Sequence, residues 1–588
     1  MCSLQEQSKS ESVRLSKSLN EGEINYVQDR MVRVEKCLKD HGIQSNNVPH
    51  IAVLGSGGGQ RAMIGLLSCI DQLYQANLLD SILYLCGVSG STWCMPSLYE
   101  DAAWSSKVPS VKDDLVKRLT ETDVDVSELI KWLSQAVEDE NFSLTDFWAA
   151  TVVYGYVKKI DTTCLSDLKN MDATNPYPIY AVADQDIKKG DKTACWFELS
   201  PHEVGYSHIG AYVDTSSFRS QFEAGVLKQK TVERDMLYLQ GLCSTALTDG
   251  GENVNIIKNS IWQWLKDIFK LGNEKQKEKA SAEKKGKANG KGKEKETDEE
   301  KATEKGAEKE KEKEKEEKEG VPLEDMTTEV VESILQLVDC EDDEESAKLL
   351  QKIHKIICKS EKANRPEKSF AGKSKEEKHD SLAEYALDAY STFKYVSAGS
   401  SDVTKITLKT MSLLKNWTWG TKYNFLYKCD LTEAEVPEEV LSKEHTHLED
   451  AGLVMNSPYV AALRPDRKVK LILSFDFSAG DPFMTVTQAA EHCKQTGIPF
   501  PPVEIPEEDK MQPKDFYVFK SENTPTVIHI PLFNMVNCEG DVAKWRETYP
   551  TFRNAFNRET MDDLIRVSGM NVANNTEKII QEILAVCK

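Results

Sequence analysis

The stretch HIAVLGSGGGQRAM, residues 50–63, and the stretch ILYLCGVSGSTW, residues 82–93, decide the fold of this chain. The apolar run at 50–54 is typical of a buried strand, and glycines follow it at once. Residues 63–73 then place apolar side chains at helical spacing, ahead of a second buried strand at 82–86. Strand, helix and strand at this spacing predict a βαβ unit with parallel strands and a right-handed crossover. The loops that follow the two strands are therefore expected at one edge of a sheet.

One of these loops, Gly87-Val88-Ser89-Gly90-Ser91, follows the Gly-X-Ser-X-Gly pattern of a nucleophile elbow, with Ser91 in place of the last glycine. The tight turn needs small residues on both sides of the nucleophile, and serine is still small. Ser89 is therefore the candidate nucleophile. The other loop has glycines at 57–59, whose backbone N–H groups are open to a substrate oxygen. This arrangement predicts an oxyanion hole beside the serine.

The C-terminal part offers a base, Asp450, which is followed by Ala451 and Gly452 and precedes a predicted strand at 469–477. Small residues after the aspartate let its carboxylate approach a neighbouring loop. By itself this motif indicates little, because aspartate before small residues is usually a turn. A Ser-His-Asp triad is the alternative, and the histidines that have to be considered for it are His445, His447, His492 and His529.

The formal net charge of −22 disfavours a nucleic-acid binder, because phosphate recognition needs a concentrated basic face. Membrane contact is expected to depend on apolar insertion or a local basic patch. The sequence has neither a secretory signal nor an apolar run of about 18 residues that could span a membrane.

The 14 cysteines form no CxxC pair and no metal-ligand cluster. A reducing, cytoplasmic compartment is expected, with no metal and no cofactor.

Residues 273–320 contain 16 lysines, 16 acidic residues and no aromatic residue, and such a composition cannot bury a core. We expect a disordered insertion here. The expected organisation is an N-terminal helical and polar arm at 1–45, a first catalytic part at 46–272, the insertion, a charged helical flap or lid at 321–394 and a second catalytic part at 395–588.

A short predicted helix precedes the insertion and groups five apolar side chains on one side: Ile261, Trp262, Leu265, Ile268 and Phe269. Tryptophan and phenylalanine above lysines would suit a helix at a membrane interface. A core helix packed on the catalytic body is the alternative, and we favour it.

Five motifs resemble those of the cytosolic phospholipase A2 family in their order and spacing, most of all the subtype that lacks a C2 domain. They are GSGGGQRAM (55–63), GVSGSTW (87–93), FSLTDFWA (142–149), EDAGLVMNSPY (449–459) and LRPDRKVKLILSFDFSAGDPF (463–483). The resemblance implies a three-layer α/β/α, patatin-like fold and a Ser–Asp dyad. The site residues that it implies are Ser89 and Asp450 for the dyad, Gly58 and Gly59 for the oxyanion hole, and Arg61 and Arg467 for the lipid phosphate.

The same resemblance implies calcium-independent hydrolysis of fatty-acyl esters of glycerophospholipids and lysophospholipids at membrane surfaces, with transacylation as a variant. No calcium module is expected before the catalytic motifs, and no prenylation box, because Cys587 stands second from the end. Gln60 departs from the residue usual in the family, which affects local packing. Oligomeric state, sn-1 or sn-2 preference and acyl-chain choice do not follow from the sequence.

Two other functions compete with this one. A dinucleotide fingerprint would fit Gly57-X-Gly59-X-X-Ala62, but the second strand should then end in an acidic residue, and it ends in Cys86-Gly87. A catalytically silent lipid-binding protein is disfavoured because the serine, the aspartate and the glycine loop are all intact.

Overall fold

The apolar strands of the sequence form the centre of one large sheet in this computed structural model. The structure describes residues 12–44, 47–245, 257–274, 323–358, 370, 372–393, 402–431, 436, 438–551 and 555–588. From position 275 onward, the insertion expected at 273–320 lies outside the described residues. The chain divides into two compact units. The first comprises Met1–Val124, Thr145–Asp249 and Trp419–Lys588, and the second comprises Asp125–Leu144 and Gly250–Thr418.

The strands all belong to the first unit. Numbered in chain order, those in the described residues are β1 Arg14–Leu15, β2 His50–Gly55, β3 Tyr84–Gly87, β4 Tyr177–Asp184, β5 Trp196–Leu199, β6 Glu203–Tyr206, β7 Ala211–Asp214, β8 Gln221–Glu223, β9 Val226–Gln229, β10 Thr421–Tyr423, β11 His445–Asp450, β12 Val469–Asp476, β13 Tyr517–Phe519 and β14 Thr526–Pro531.

Twelve of these strands form one mixed sheet in the order β1-β7-β6-β5-β4-β3-β2-β12-β14-β13, with β11 on β4 and β10 on β11, while β8 and β9 pair separately. The five central strands β4, β3, β2, β12 and β14 are parallel. The predicted βαβ unit is confirmed, because β2 and β3 pair in parallel on either side of a helix at Gln60–Gln75. The predicted strand at 469–477 is confirmed as β12.

Burial explains why these strands read as continuous apolar runs. All eight residues of β4 are buried, and so are all residues of β2 after His50. A parallel sheet in an α/β protein is covered by helices on both faces, so its strands do not alternate between apolar and polar residues. The arrangement is the three-layer α/β/α fold that was expected.

Helices surround this sheet in the first unit. The α-helices described there are Glu21–Asp40, Gln60–Gln75, Ser91–Tyr99, Val108–Glu121, Leu144–Trp148, Tyr154–Val157, Gln185–Lys188, Met236–Leu242, Glu438–Ser442, Tyr459–Ala462, Met484–Thr496, Glu507–Met511, Val542–Thr548, Arg558–Ala573 and Thr576–Val586. A π-helical turn at Ala149–Val153 joins two of them.

The second unit is helical in its described residues. Its helices are Val126–Ala136, 257–274, Leu323–Asp339, Asp343–Cys358, Lys375–Phe393 and Asp402–Leu414. Residues 330–338 and 347–358, in which apolar side chains recur at helical spacing in the sequence, lie in two of these helices. The role of 321–394 as a flap or lid, and the other boundaries expected from the sequence, stay predictions.

The helix at 257–274 decides between the two interpretations of its apolar side. All five apolar side chains are buried, with Trp262 only 1% exposed, and the Trp262 ring lies 5.6 Å from that of His379 in the same unit. The side chains that a membrane would have received are covered by protein. The interfacial interpretation is wrong, because the apolar side is buried and the ring contact of Trp262 lies within the second unit. Packing of this helix on the catalytic body stays a prediction.

In the part of the chain that the structure describes, none of the helices is both long enough and apolar enough to cross a membrane.

Candidate active site

Ser89 lies in a strained turn between β3 and the helix Ser91–Tyr99. Its φ is +51°, in the left-handed region, where any residue other than glycine is strained. Glycines on both sides make the turn possible, because a Cβ on Gly87 would lie 2.5 Å from Met95 Sδ and one on Gly90 would lie 2.1 Å from the Gly59 carbonyl oxygen. This is the geometry of a nucleophile elbow.

Ser91, which replaces the usual last glycine of the elbow, forms a hydrogen bond to the neighbouring loop. Its Oγ donates a hydrogen bond of 2.6 Å to the carbonyl oxygen of Ser56, in the neighbouring glycine loop. The Ser56 Oγ in turn accepts from the N–H of Phe477, at 2.7 Å. The substitution of serine for glycine therefore ties the elbow to the glycine loop.

The glycine loop packs directly against the elbow. Gly59 takes a φ of +59° and is followed at once by the helix Gln60–Gln75, so the amino end of that helix points at the loop. The N–H of Gly57 is used by the Asn456 carbonyl oxygen at 3.1 Å. Among the described residues, the N–H groups of Gly58 and Gly59 have no acceptor, so these two remain for an oxyanion.

The register of β4 shows how Asp450 reaches the same place. One edge of β4 is taken by β5, while β3 and then β11 pair along the other edge. Since β3 runs parallel and β11 antiparallel to β4, their carboxyl ends point at each other. Gly87 of β3 stands opposite Tyr180, and two residues further along β4, Val182 stands opposite Asp450. Ser89 also follows Gly87 by two residues, which places the Ser89 turn and the end of β11 at the same level along β4.

The carboxylate of Asp450 is fully buried and held by the backbone. Its Oδ1 accepts from the Gly452 N–H at 2.7 Å, and its own N–H donates to Thr245 Oγ1 at 3.0 Å. The thiol of Cys243 lies nearby, and burial together with the Asp450 charge raises the pKa of this thiol well above its usual range. The thiol therefore stays protonated beside the carboxylate.

Asn456 joins the glycine loop and the Asp450 loop, and sequence reasoning missed it. Its Oδ1 lies 2.1 Å from where a Cβ of Gly57 would be and 2.9 Å from the corresponding position at Gly452. The Gly57 position is also 2.8 Å from Ser89 Cβ. The Asn456 Nδ2 donates to the Gly57 carbonyl oxygen at 3.2 Å and to Ser478 Oγ at 2.8 Å. The sequence signal for it was a polar residue six positions after Asp450, directly after five apolar or small residues.

Comparison with known proteins identifies the family of this chain. Residues 51–356 match the family model of the lysophospholipase catalytic domain. The chain is 34% identical over 588 residues to the cytosolic phospholipase A2 gamma of Homo sapiens, with 98% of this chain and 97% of that protein covered. It belongs to the cytosolic phospholipase A2 family. The Mus musculus cytosolic phospholipase A2 gamma is 32% identical, with coverage of 97% and 91%.

A solved structure from the cytosolic phospholipases A2 supports the fold. The human GIVD cytosolic phospholipase A2 superposes with a TM-score of 0.63 at 20% sequence identity, covering 98% of this chain and 68% of that one. At this low identity, the superposition shows that the two proteins share the three-layer fold, and nothing further.

Arg61, which the family resemblance assigned to the lipid phosphate, is 2% exposed and holds oxygens of this chain. Its Nε donates to the Phe477 carbonyl oxygen at 2.9 Å, its Nη1 to the Tyr549 carbonyl oxygen and its Nη2 to Thr551 Oγ1 at 3.2 Å. The Nη2 atom also lies 3.0 Å from where a Cβ of Gly58 would be. Arg61 thus lies at the site, but as a buried brace beside the oxyanion loop.

Arg467 is not brought to the site. It is fully buried, and its five N–H donors are all used, by the carboxylates of Glu23 and Glu198 and by the Ala461 carbonyl oxygen. Its own carbonyl oxygen contacts His50 Nδ1 at 2.6 Å, at the amino end of β2. Ser89 lies at the opposite, carboxyl edge of the parallel strands. The geometry contradicts a phosphate contact, because Arg467 has no free donor and faces the wrong edge.

The four histidines considered for a triad make their contacts elsewhere. His445 stacks on Tyr423, and His447 Nδ1 is 3.0 Å from Asp186 Oδ2. The ring of His492 lies 6.5 Å from that of Trp196. His529 is buried in β14, three strands from β3, and its Nε2 bonds the Pro482 carbonyl oxygen at 2.7 Å. Gln60, the departure from the family pattern, is buried, and its Oε1 accepts from the Phe556 N–H at 2.8 Å.

Proposed function

We propose that this chain is a serine lipid-acyl hydrolase that cleaves fatty-acyl esters of glycerophospholipids and lysophospholipids through a Ser89–Asp450 dyad. The observation that carries the proposal is the meeting of the carboxyl ends of β3 and β11, beside a glycine loop with two free N–H groups. Membership of the cytosolic phospholipase A2 family supports the substrate class.

In the first half of the reaction, Ser89 Oγ attacks the ester carbonyl carbon while the Asp450 carboxylate takes the hydroxyl proton. The carbonyl oxygen becomes an oxyanion and accepts hydrogen bonds from the N–H groups of Gly58 and Gly59. The partial positive charge at the amino end of the helix Gln60–Gln75 stabilises the same oxyanion. Collapse of this intermediate breaks the bond to the lysolipid or glycerol oxygen, which leaves with the proton from Asp450.

In the second half, water attacks the acyl-Ser89 ester and gives its proton to Asp450, and the fatty acid leaves as Ser89 regains the proton. A lipid alcohol in place of water gives transacylation. Asp450 takes up and returns every proton that these steps move, so the proposed mechanism needs no metal. We therefore propose calcium-independent turnover, in the cytosol and with transient contact to membranes.

The test is mass spectrometry of products from a mixed phospholipid and lysophospholipid panel, with and without a calcium chelator. Ser89→Ala and Asp450→Asn should each lose about a thousandfold or more in kcat, because the two residues act as one unit. The matched controls, Ser521→Ala and Asp466→Asn, alter exposed side chains and should keep full activity. Full activity of either dyad variant would refute the mechanism, and an inactive parent protein would favour a silent lipid-binding protein.

A further inference from the structure

Three exposed apolar side chains lie at the edge of the sheet that carries Ser89. The parallel strands β3, β2, β12 and β14 end at this edge, since their carboxyl ends all point the same way. Met484 begins the helix that follows β12, and Val536 lies in the loop that follows β14. Met511 ends the helix Glu507–Met511, between these two strands in sequence.

Hydrogen bonds and a ring contact bring the three segments together. The N–H of Met535 donates to the Pro513 carbonyl oxygen at 2.8 Å, which joins the Val536 loop to the end of the Met511 helix. The ring of Phe483, next to Met484, lies 4.9 Å from the ring of Tyr517, whose hydroxyl donates to Asp509 in the Met511 helix at 3.1 Å. We call these side chains the Met484–Met511–Val536 patch.

The side chains of the patch are exposed. Met511 is 80% exposed, Val536 47% and Met484 42%. Apolar side chains scattered singly over a surface are ordinary, but three on converging segments beside a catalytic edge indicate a contact surface. Methionine and valine tips of this kind can enter the region between lipid headgroups and acyl chains.

The charges around the patch indicate which kind of lipid surface it can bind. Residues 504–515 contain five acidic and two basic side chains, and residues 535–547 contain three acidic and two basic side chains. The two lysines next to Met511 are already paired, Lys510 with Glu507 at 2.7 Å and Lys514 with Asp509 at 3.1 Å. Such a rim repels anionic lipids, whereas a zwitterionic surface carries no net charge for it to oppose.

We infer that the Met484–Met511–Val536 patch docks this enzyme on a zwitterionic lipid surface by apolar insertion. The inference rests on the proposed function, because a lipid-acyl hydrolase has to reach esters held in a bilayer. Docking at this edge brings the carboxyl ends of the parallel strands, and Ser89 with them, towards the lipid.

The experiment measures partition onto phosphatidylcholine vesicles, with and without phosphatidylserine, in a Ser89→Ala background where no lipid is consumed. Met511→Gln combined with Val536→Ser should lower the partition coefficient about tenfold, since both side chains lose their apolar surface. The control, Val32→Ser combined with Val232→Ser, alters side chains that are 70% and 88% exposed elsewhere in the first unit and should change nothing. Adding phosphatidylserine should not strengthen binding.

With Ser89 intact, the Met511→Gln and Val536→Ser pair should hydrolyse a soluble monomeric ester at the parental rate, which shows that it folds. Equal partition of the patch and control variants would overturn the inference, and so would binding that depends on phosphatidylserine. A parent that binds neither kind of vesicle would overturn it as well, and would favour a protein partner for the patch. Because hydrolysis of the soluble ester is measured separately, failure of docking is distinguishable from failure of the proposed function.

Discussion

At the scale of single residues, a substitution of Arg61 tests whether this side chain contacts the lipid phosphate or braces the oxyanion loop. A lysine at this position could not bond three separate oxygens as the guanidinium does. For Arg61→Lys we expect kcat/KM to fall by the same factor, about a hundredfold, on a phospholipid and on an acyl ester without phosphate, because the oxyanion loop loses its brace. Steady-state kinetics on the two substrates are the measurement. A loss confined to the phospholipid would restore the phosphate contact.

For a substitution of Arg467 we expect the opposite of the Arg61 result: the protein loses stability, but catalysis is kept. Replacing Arg467 with methionine leaves Glu23 buried without its cation and Glu198 with Arg464 as its remaining partner, which costs about 3–5 kcal/mol. Chemical unfolding of Arg467→Met should show this loss, while kcat per folded molecule stays at the parental value. Arg566→Met, which changes a half-exposed arginine, serves as the control. An unchanged unfolding free energy with reduced kcat would contradict the structural role.

At the scale of elements, the site depends on how loops from distant parts of the chain are held together. Asn456 bridges the glycine loop and the Asp450 loop, so Asn456→Ala should let the nucleophile and base drift apart. We expect kcat to fall roughly ten- to a hundredfold, with KM and the melting temperature little changed. Ser478→Ala removes only one partner of Asn456 and should have a much smaller effect. Equal kinetics of Asn456→Ala and the parent would show that Asn456 has no positioning role.

Elements formed by local sequence could be predicted, and pairings across the chain could not. The βαβ unit and the elbow at Ser89 follow from periodicity and small residues within 50 positions of each other. The pairing of β11 with β4 is invisible in the sequence, so Asp450 could be assigned only through the family resemblance. For the same reason the ion pairs that occupy Arg467 were missed. The helix at 257–274 was ambiguous, because a buried core and a membrane interface demand the same apolar side.

At the scale of the whole molecule, a buried lysine links stability to pH. Lys422 is 1% exposed, surrounded by the rings of Phe197, Tyr206 and Phe425, and burial lowers its pKa to about 8 despite the attraction of Asp184 and Asp186. Below pH 8 the lysine is charged in both folded and unfolded chains, and its burial costs free energy. Between about pH 8 and 10.5 only the unfolded chain holds this proton, so stability rises with pH.

The measurement compares the parent with Lys422→Met, so that other titrating groups cancel. The unfolding free energy of the parent relative to this variant should rise by up to about 3 kcal/mol across that window, since each pKa unit corresponds to about 1.4 kcal/mol. A difference that is flat, or that falls with pH, would show that Lys422 keeps an ordinary pKa in the folded protein.

The head-on meeting of β3 and β11 also determines when the protein becomes able to act. Residues 90–449 separate Ser89 from Asp450 along the chain, so the ribosome makes the nucleophile long before the base. At about 5–20 residues per second, translation of that interval takes roughly 20 to 70 seconds. Throughout it the growing polypeptide carries half of the proposed dyad. A nascent or prematurely terminated chain without Asp450 cannot complete the proposed dyad, so lipid hydrolysis is expected only after Asp450 has been made and β11 has paired with β4.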